Sequence, residues 1–265
     1  MKRMLLLTML LLTGTLIYSQ SAEDKFMLVT TNSKSALLLY NQAIKYYDDV
    51  NIAKALETFK KALEQDKDFF MVNYQLAFYY LLNRDQNDYE KYAYAAINCK
   101  TKLSDAEELL KEALVRLQKG LTNFIDLGKK LVEMYPNDPN SYNNLVSFQS
   151  LAGDSTGIVE TLNKAIKIAT NPASFYNQLG YTYLSLKQID NAEEAFDKYI
   201  ELEPKNPNVY DSKGDYYMYI KDYEKAYESY MRAYSIDPAF SHDKAEMAKQ
   251  LYEQKEGKKL NIISI

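Results

Sequence analysis

The sequence predicts an all-α fold, a solenoid of tandem antiparallel helix pairs. The first observation behind this prediction is a repeat period of 34 residues between Pro139 and Pro238. The second is the helical spacing of apolar side chains within each period, and the third is a proline near the end of the units. A fixed period of this kind is the signature of stacked units that each contact only their neighbours.

The first twenty residues have the three parts of a secretory signal. Positive charges precede an apolar run from Met4 to Ile17, and small or polar residues follow. Because that run is shorter than the about 20 residues that cross a bilayer, we predict a signal peptide over residues 1–19, with an uncleaved signal anchor as the alternative. The protein is then exported, periplasmic or secreted, without stable membrane insertion after cleavage.

Charge and cysteine content limit the partners and the means of stabilisation. The net charge is −4 and no basic stripe is visible. We therefore predict no nucleic-acid partner, because phosphate backbones bind basic surfaces.

The one cysteine, Cys99, cannot form an intramolecular disulfide. We interpret it as a small buried side chain at a helix end, and a reactive thiol is the alternative.

Before the regular period, residues 20–34 are predicted to form a linker and residues 36–138 to form divergent repeats. Glu112 and Phe124 stand where close helix packing requires small side chains, so a local change of helix geometry is expected there. One additional residue between Phe70 and Asp105 interrupts the period, which suggests a tight elbow in this stretch.

Helix-end signals support helices in the same stretch. Ser104 and Glu107 precede an apolar run at the spacing of a capping box. Lys119 and Gly120 form a typical helix end.

The best-matched units span residues 139–240. In the units that begin at Ala173 and Pro207, the first helix has a tyrosine stripe with a glycine, and the second has alanines and a bulky ring. Glycine and alanine let helices approach closely, and the rings fill the space to the next unit. The packing positions are Tyr176, Leu179, Gly180, Tyr183, Ala192, Phe196, Pro204, Tyr210, Gly214, Tyr217, Ala226, Tyr230, Ala233 and Pro238.

This pattern, YxxLGxxY followed by AxxxF and a final proline, resembles the tetratricopeptide repeat. The resemblance is strong over Pro139 to Pro238 and weaker upstream. It implies a right-handed superhelix with a concave groove that binds peptides or proteins. With about six repeats and a cap, we expect about 13 helices.

Residues 241–265 are predicted to be a capping helix and tail. A helix from Ser241 to about Glu256 carries many polar side chains, and Lys244 is one of them. A half-polar helix of this type covers the apolar edge of a last repeat.

A second face of each first helix is expected to line the groove, as the resemblance implies. Its side chains are neutral and polar, with aromatic and apolar positions among them. Asparagine and glutamine carry donors and an acceptor, the complement of a peptide backbone. The candidate peptide-binding residues are Asn143, Asn144, Ser147, Asn177, Gln178, Tyr181, Asp211, Asp215 and Met218. The alternative is that these positions are merely solvated.

The equivalent positions of the earlier units are more apolar. They are Tyr40, Asn41, Ile44, Tyr47, Tyr74, Gln75, Phe78 and Leu81.

Most of the 25 tyrosines fall in packing positions, so we interpret them as core residues with a hydrated hydroxyl. Tyr40, Tyr181 and Tyr219 are the exceptions that suggest contact with a ligand.

Catalysis is not predicted. His242 is the only histidine, which excludes histidine-containing triads and histidine-rich metal sites. Adjacent glutamates on a helix point apart, so we interpret them as solvated faces. We therefore predict no enzyme activity, cofactor or metal.

The leading functional hypothesis is an exported scaffold or adaptor that binds a peptide or protein. Two alternatives stay open: a carbohydrate- or solute-binding accessory protein, and a structural homo-oligomer formed through the N-terminal repeats. The sequence leaves the oligomeric state open.

Overall fold

The protein is an all-α helical repeat. A computed structural model describes residues 26–48, 50–121 and 123–260, and within them it contains thirteen α-helices and no strand. The predicted signal peptide, residues 1–19, lies outside the described residues. The helices are α1 Lys34–Asp48, α2 Ile52–Gln65, α3 Phe70–Leu82, α4 Gln86–Ile97, α5 Asp105–Gln118, α6 Ile125–Met134, α7 Pro139–Ala152, α8 Ser155–Ile168, α9 Ala173–Ser185, α10 Ile189–Leu202, α11 Pro207–Ile220, α12 Tyr223–Ile236 and α13 His242–Glu256.

Side-chain caps set the helix starts. Asp154 and Asp222 accept hydrogen bonds from backbone N–H groups in the first turns of α8 and α12. The predicted capping box of Ser104 and Glu107 is present at the start of α5. Because a cap satisfies N–H groups that the helix itself leaves unpaired, it defines where each hairpin turns.

Glycine in the first helix makes room for a ring from the second. A Cβ atom placed on Gly180 would lie 2.6 Å from Cε1 of Phe196, and one on Gly214 would lie 2.4 Å from Cε1 of Tyr230. The ring of Phe196 also approaches Tyr216 of the next unit, at 6.2 Å between ring centroids. The glycine therefore lets the ring pack both within its hairpin and against the following one.

The pair α5 and α6 packs less closely than the others, in the unit where the sequence predicts a local change of helix geometry. These helices touch far less extensively than the two helices of the best-matched pairs. Glu112 accepts a hydrogen bond from Arg116, which also binds Asp126 at the start of α6. Phe124 packs on Phe148 of α7, with 5.7 Å between ring centroids. A charged cluster and a displaced ring thus replace the small side chains that close the other hairpins.

The N-terminal helices curl back toward the middle of the chain. Tyr74 of α3 donates a hydrogen bond of 2.8 Å to Asn144 of α7, although the two are 70 residues apart. Beside it, the rings of Phe78 and Phe148 lie 5.9 Å apart. The connection from α4 to α5, residues 98–104, is the longest between helices in the described part of the chain. It lies in the stretch where the sequence suggests an elbow.

The predicted capping helix is present as α13. It packs on α12 through Ala245 and Ala248, which are fully buried. Leu260, after the helix, folds back into the same cluster.

Cys99 follows α4 and is partly buried, and this burial raises the pKa of its thiol.

Candidate functional site

A cavity of about 430 Å³ lies between helices α1, α3, α7 and α9. It forms because the curl of the N-terminal helices places the first helices of early and later units opposite one another. One part is aromatic and apolar, and the other carries amides and hydroxyls. We call it the groove, and its lining includes Tyr40, Ile44, Tyr47, Tyr74, Gln75 and Phe78 on one side and Asn143, Asn144, Ser147, Ser150, Asn177 and Gln178 on the other.

The aromatic part rests on a rigid base of packed rings. Tyr40 is 7% exposed, and its ring lies 5.4 Å from that of Phe69 and 6.0 Å from that of Phe59. Burial raises the pKa of Tyr40, and a hydrogen bond with Gln75 partly offsets this effect. The phenol therefore stays neutral. In contrast, Tyr47 is 40% exposed and presents an apolar surface to the groove.

The polar part contains five of the nine predicted binding residues. Asn144 is buried and engaged: it accepts from Tyr74 and its amide donates to the Asn140 carbonyl at 2.8 Å. The other four are partly exposed, and Gln178 donates to Asn143 Oδ1 at 3.3 Å. Asn143, Ser147, Asn177 and Gln178 line the groove on two consecutive units, and we call this row of side chains the amide ladder.

The remaining four predicted residues lie outside this cavity, and the capping helix binds two of them. Lys244 of α13 binds Asp211 at 2.8 Å and Asp215 at 2.9 Å. Tyr181 donates its hydroxyl to Asp215 at 2.8 Å. Met218 packs against the apolar cluster of the cap. Whether these residues bind a ligand stays a prediction, but both carboxylates already have partners within the chain.

Electrostatics reinforce this arrangement at the cap. Burial lowers the pKa of Lys244, but the two aspartates outweigh it and raise the pKa above the ordinary 10.5. Burial and the charge of Asp215 raise the pKa of Tyr181, which keeps its hydroxyl protonated as a donor. The cluster therefore holds α13 against α11, and Tyr181 joins α9 to the same Asp215.

Sequence reasoning missed the contribution of the N-terminal segment. Met27 and Val29 line the groove, although residues 20–34 are predicted to be a linker. Ser174, Met71 and Leu82 also line it. A short extended segment has no helical period, so its place in the fold carries no periodic signal.

The groove offers contacts rather than reactive groups. Within the described ranges, no group of three or more histidine, cysteine, aspartate or glutamate side chains is arranged to hold a metal ion. Neutral amides, hydroxyls and apolar rings can hydrogen-bond and pack, and such sites recognise a ligand by shape and polarity. In the same ranges, no helix has the length and apolar character needed to cross a membrane.

The sequence model of the tetratricopeptide repeat family matches residues 173–206 and 207–240. These two segments correspond to the helix pairs α9–α10 and α11–α12 with the loops that follow them. The chain therefore contains tetratricopeptide repeats. A sequence search of the curated proteins found no match.

Several solved structures are similar to this chain at low identity. A thermophilic tetratricopeptide repeat protein of Thermus thermophilus has a TM-score of 0.48 and 17% identity, covering 82% of this chain and 98% of that one. The APC/C hetero-tetramer Cut9–Hcn1 has a TM-score of 0.45 and 18% identity, covering 81% of this chain and 42% of that one. MamA protein has a TM-score of 0.41 and 20% identity, covering 86% of this chain and 98% of that one.

Proposed function

We propose that this protein, which carries tetratricopeptide repeats and is a protein-interaction scaffold, binds an extended peptide segment of a partner in the groove. The observation that carries the proposal is the pairing of the amide ladder with an apolar wall in one cavity. Amides match the donors and acceptors of an extended backbone, and rings match its side chains.

The candidate residues of α11, which lie outside the groove, limit the position of the ligand. Lys244 occupies the carboxylates of Asp211 and Asp215, so a ligand there would have to replace an existing ion pair. The open contacts lie instead between α1, α3, α7 and α9. The bound segment is therefore expected to lie in this cavity rather than along the whole superhelix.

Two asparagines provide the test. Dodecapeptides selected by phage display against the purified protein would be labelled with fluorescein, and their Kd measured by anisotropy. The double variant Asn143→Ala and Asn177→Ala should weaken binding about tenfold, because each amide hydrogen bond contributes about 0.5–1.5 kcal/mol. Asn163→Ala is the matched control, since Asn163 lies exposed on α8 and does not line the groove.

The outcomes separate the functional classes. Equal affinity of wild type and the double variant, with unchanged melting, would reject the groove as the peptide site. Binding to a glycan array without peptide selection would favour the carbohydrate-binding alternative, in which exposed Tyr47 provides a stacking surface. A concentration-dependent increase in mass by light scattering, with no peptide binding, would favour the homo-oligomer.

We also propose that the protein is exported and acts in the periplasm or outside the cell. The support is the charged start, apolar run and polar end of residues 1–20. Cell fractionation followed by intact mass measurement should find a chain that begins near Gln20. A full-length chain confined to the cytosolic fraction would contradict export.

A further inference from the structure

An extended N-terminal segment, Phe26–Ser33, lies against the repeats; we call it the strap. Its backbone N–H groups donate to three carboxylates, two on inter-repeat connections (Asp66 and Asp138) and one in the first turn of α5 (Glu107). Met27 N–H donates to Asp138 at 2.7 Å, and Thr30 N–H donates to Glu107 at 2.9 Å. Asn32 N–H donates to Asp66 at 3.2 Å. The strap therefore crosses the starts of α3, α5 and α7.

The strap is a fixed part of the fold because two of these carboxylates are buried. Glu107 is 1% exposed and Asp138 is 3% exposed. Glu107 also accepts the Thr30 hydroxyl at 2.6 Å. Displacing the strap would break several hydrogen bonds to carboxylates, which is unfavourable. A ligand is consequently expected to bind beside the strap rather than replace it.

Side chains alternate along the strap. Met27 and Val29 turn inward, where they pack on the N-terminal core and line the groove. Phe26 and Leu28 turn outward and are 60% and 66% exposed. This alternation is that of an extended chain, and it makes the inward pair part of the groove wall, to which Ile44 also belongs.

The groove offers almost no charge to a ligand. Asp48 is the only charged residue among the described residues that line it, and no lysine or arginine does. A charged side chain entering the apolar end would lose hydration without gaining an oppositely charged partner, apart from a cation near Asp48. An aliphatic or aromatic side chain would bury apolar surface there instead.

We propose that Met27 and Val29 contact the ligand directly, and that the strap end of the groove selects an uncharged aliphatic or aromatic side chain of an extended peptide. This inference rests on the proposed function. It assigns to the strap a role in specificity. It also places the bound segment in the groove, with its apolar residue at the strap and its backbone at Asn143 and Asn177.

Cross-linking to the wild-type chain tests the contact without a variant. The selected peptides should share an apolar residue and lack aspartate and glutamate beside it. Photo-leucine would replace that residue, and trypsin would release the strap as Phe26–Lys34, because Lys25 and Lys34 flank it. Cross-links on that tryptic peptide are expected. Cross-links confined to α9 or to outer helix faces would overturn the inference.

A matched pair of substitutions tests the selection. Val29→Glu, with its side chain in the groove, should weaken binding at least about tenfold. Leu28→Glu, on the outward face of the same strap, should leave the Kd within about twofold. If Val29→Glu lowers the melting temperature, the milder Val29→Ser takes its place, with a loss of at least about threefold expected.

The results distinguish the inference from the proposed function. Loss of binding in the Asn143 and Asn177 double variant with unchanged binding in the Val29 variants would overturn the inference and leave the groove as the peptide site. Unchanged binding in both sets would overturn both.

Discussion

The N-terminal helices α1 to α6 and the C-terminal helices α7 to α13 bury their side chains in different ways. Buried residues of α1 to α6 form one continuous cluster that extends to Phe148 of α7. Those of α7 to α13 are divided, within the described residues, into four small clusters between neighbouring helices. Regular repeats thus stack locally, whereas divergent repeats behave more like a globular core.

This difference explains where the groove lies. Local stacking leaves a regular face of polar side chains, which α7 and α9 supply. Curling of the divergent block brings α1 and α3 opposite that face, through contacts such as Tyr74 with Asn144. The site therefore forms where the two kinds of packing meet, and loss of regularity in the first block is what encloses it.

The largest effects should come from truncating one large ring in each block. Phe148→Ala and Phe196→Ala each remove a fully buried ring, and each should lower the free energy of unfolding by about 3–5 kcal/mol. The responses in hydrogen exchange should differ. Phe148→Ala should speed exchange in distant α3, because its ring contacts Phe78, whereas Phe196→Ala should affect only α9 to α11. Identical local patterns in both variants would remove the distinction between the blocks.

An intermediate effect is expected where the strap joins the first block. Thr30→Ala removes a hydroxyl that donates to buried Glu107, so urea denaturation should show a loss of about 1.5–3 kcal/mol. Asn32→Ala is the control, because its side chain is exposed, and its loss should stay below about 0.5 kcal/mol. Equal losses would mean that the strap is only loosely attached.

The smallest effect should come from the cap of the second block. Lys244→Met removes partly exposed ion pairs with Asp211 and Asp215, at a cost of about 0.2–1 kcal/mol. The pKa of Lys244 is raised above 10.5, so this stabilisation is complete below pH 10.5 and is lost as the pH rises through the folded-state pKa. The difference in Tm between wild type and variant should therefore shrink as the pH rises through the folded-state pKa of Lys244. A constant difference would contradict the ion-pair assignment.

Some features of the site could be predicted from residues alone. Asn143, Ser147, Asn177 and Gln178 follow from the period, because equivalent positions of stacked hairpins share a face. Asp211 and Asp215 have the same periodic positions but bind Lys244, because the last repeat has the cap where other repeats have a neighbour. Periodicity therefore identifies which side chains share one face of the first helices, but it does not show whether another helix covers that face.

The sequence by itself determined the helical class and the approximate number of the hairpins, since the helical spacing, the caps and the close packing of Gly180 on Phe196 are local properties. Only the tertiary structure decided that α3 meets α7, that the strap forms a wall with Met27 and Val29, and that α13 covers the last carboxylates. The reason is that small rotations between successive hairpins add up along the stack. Contacts between distant units depend on their sum, which no single repeat encodes.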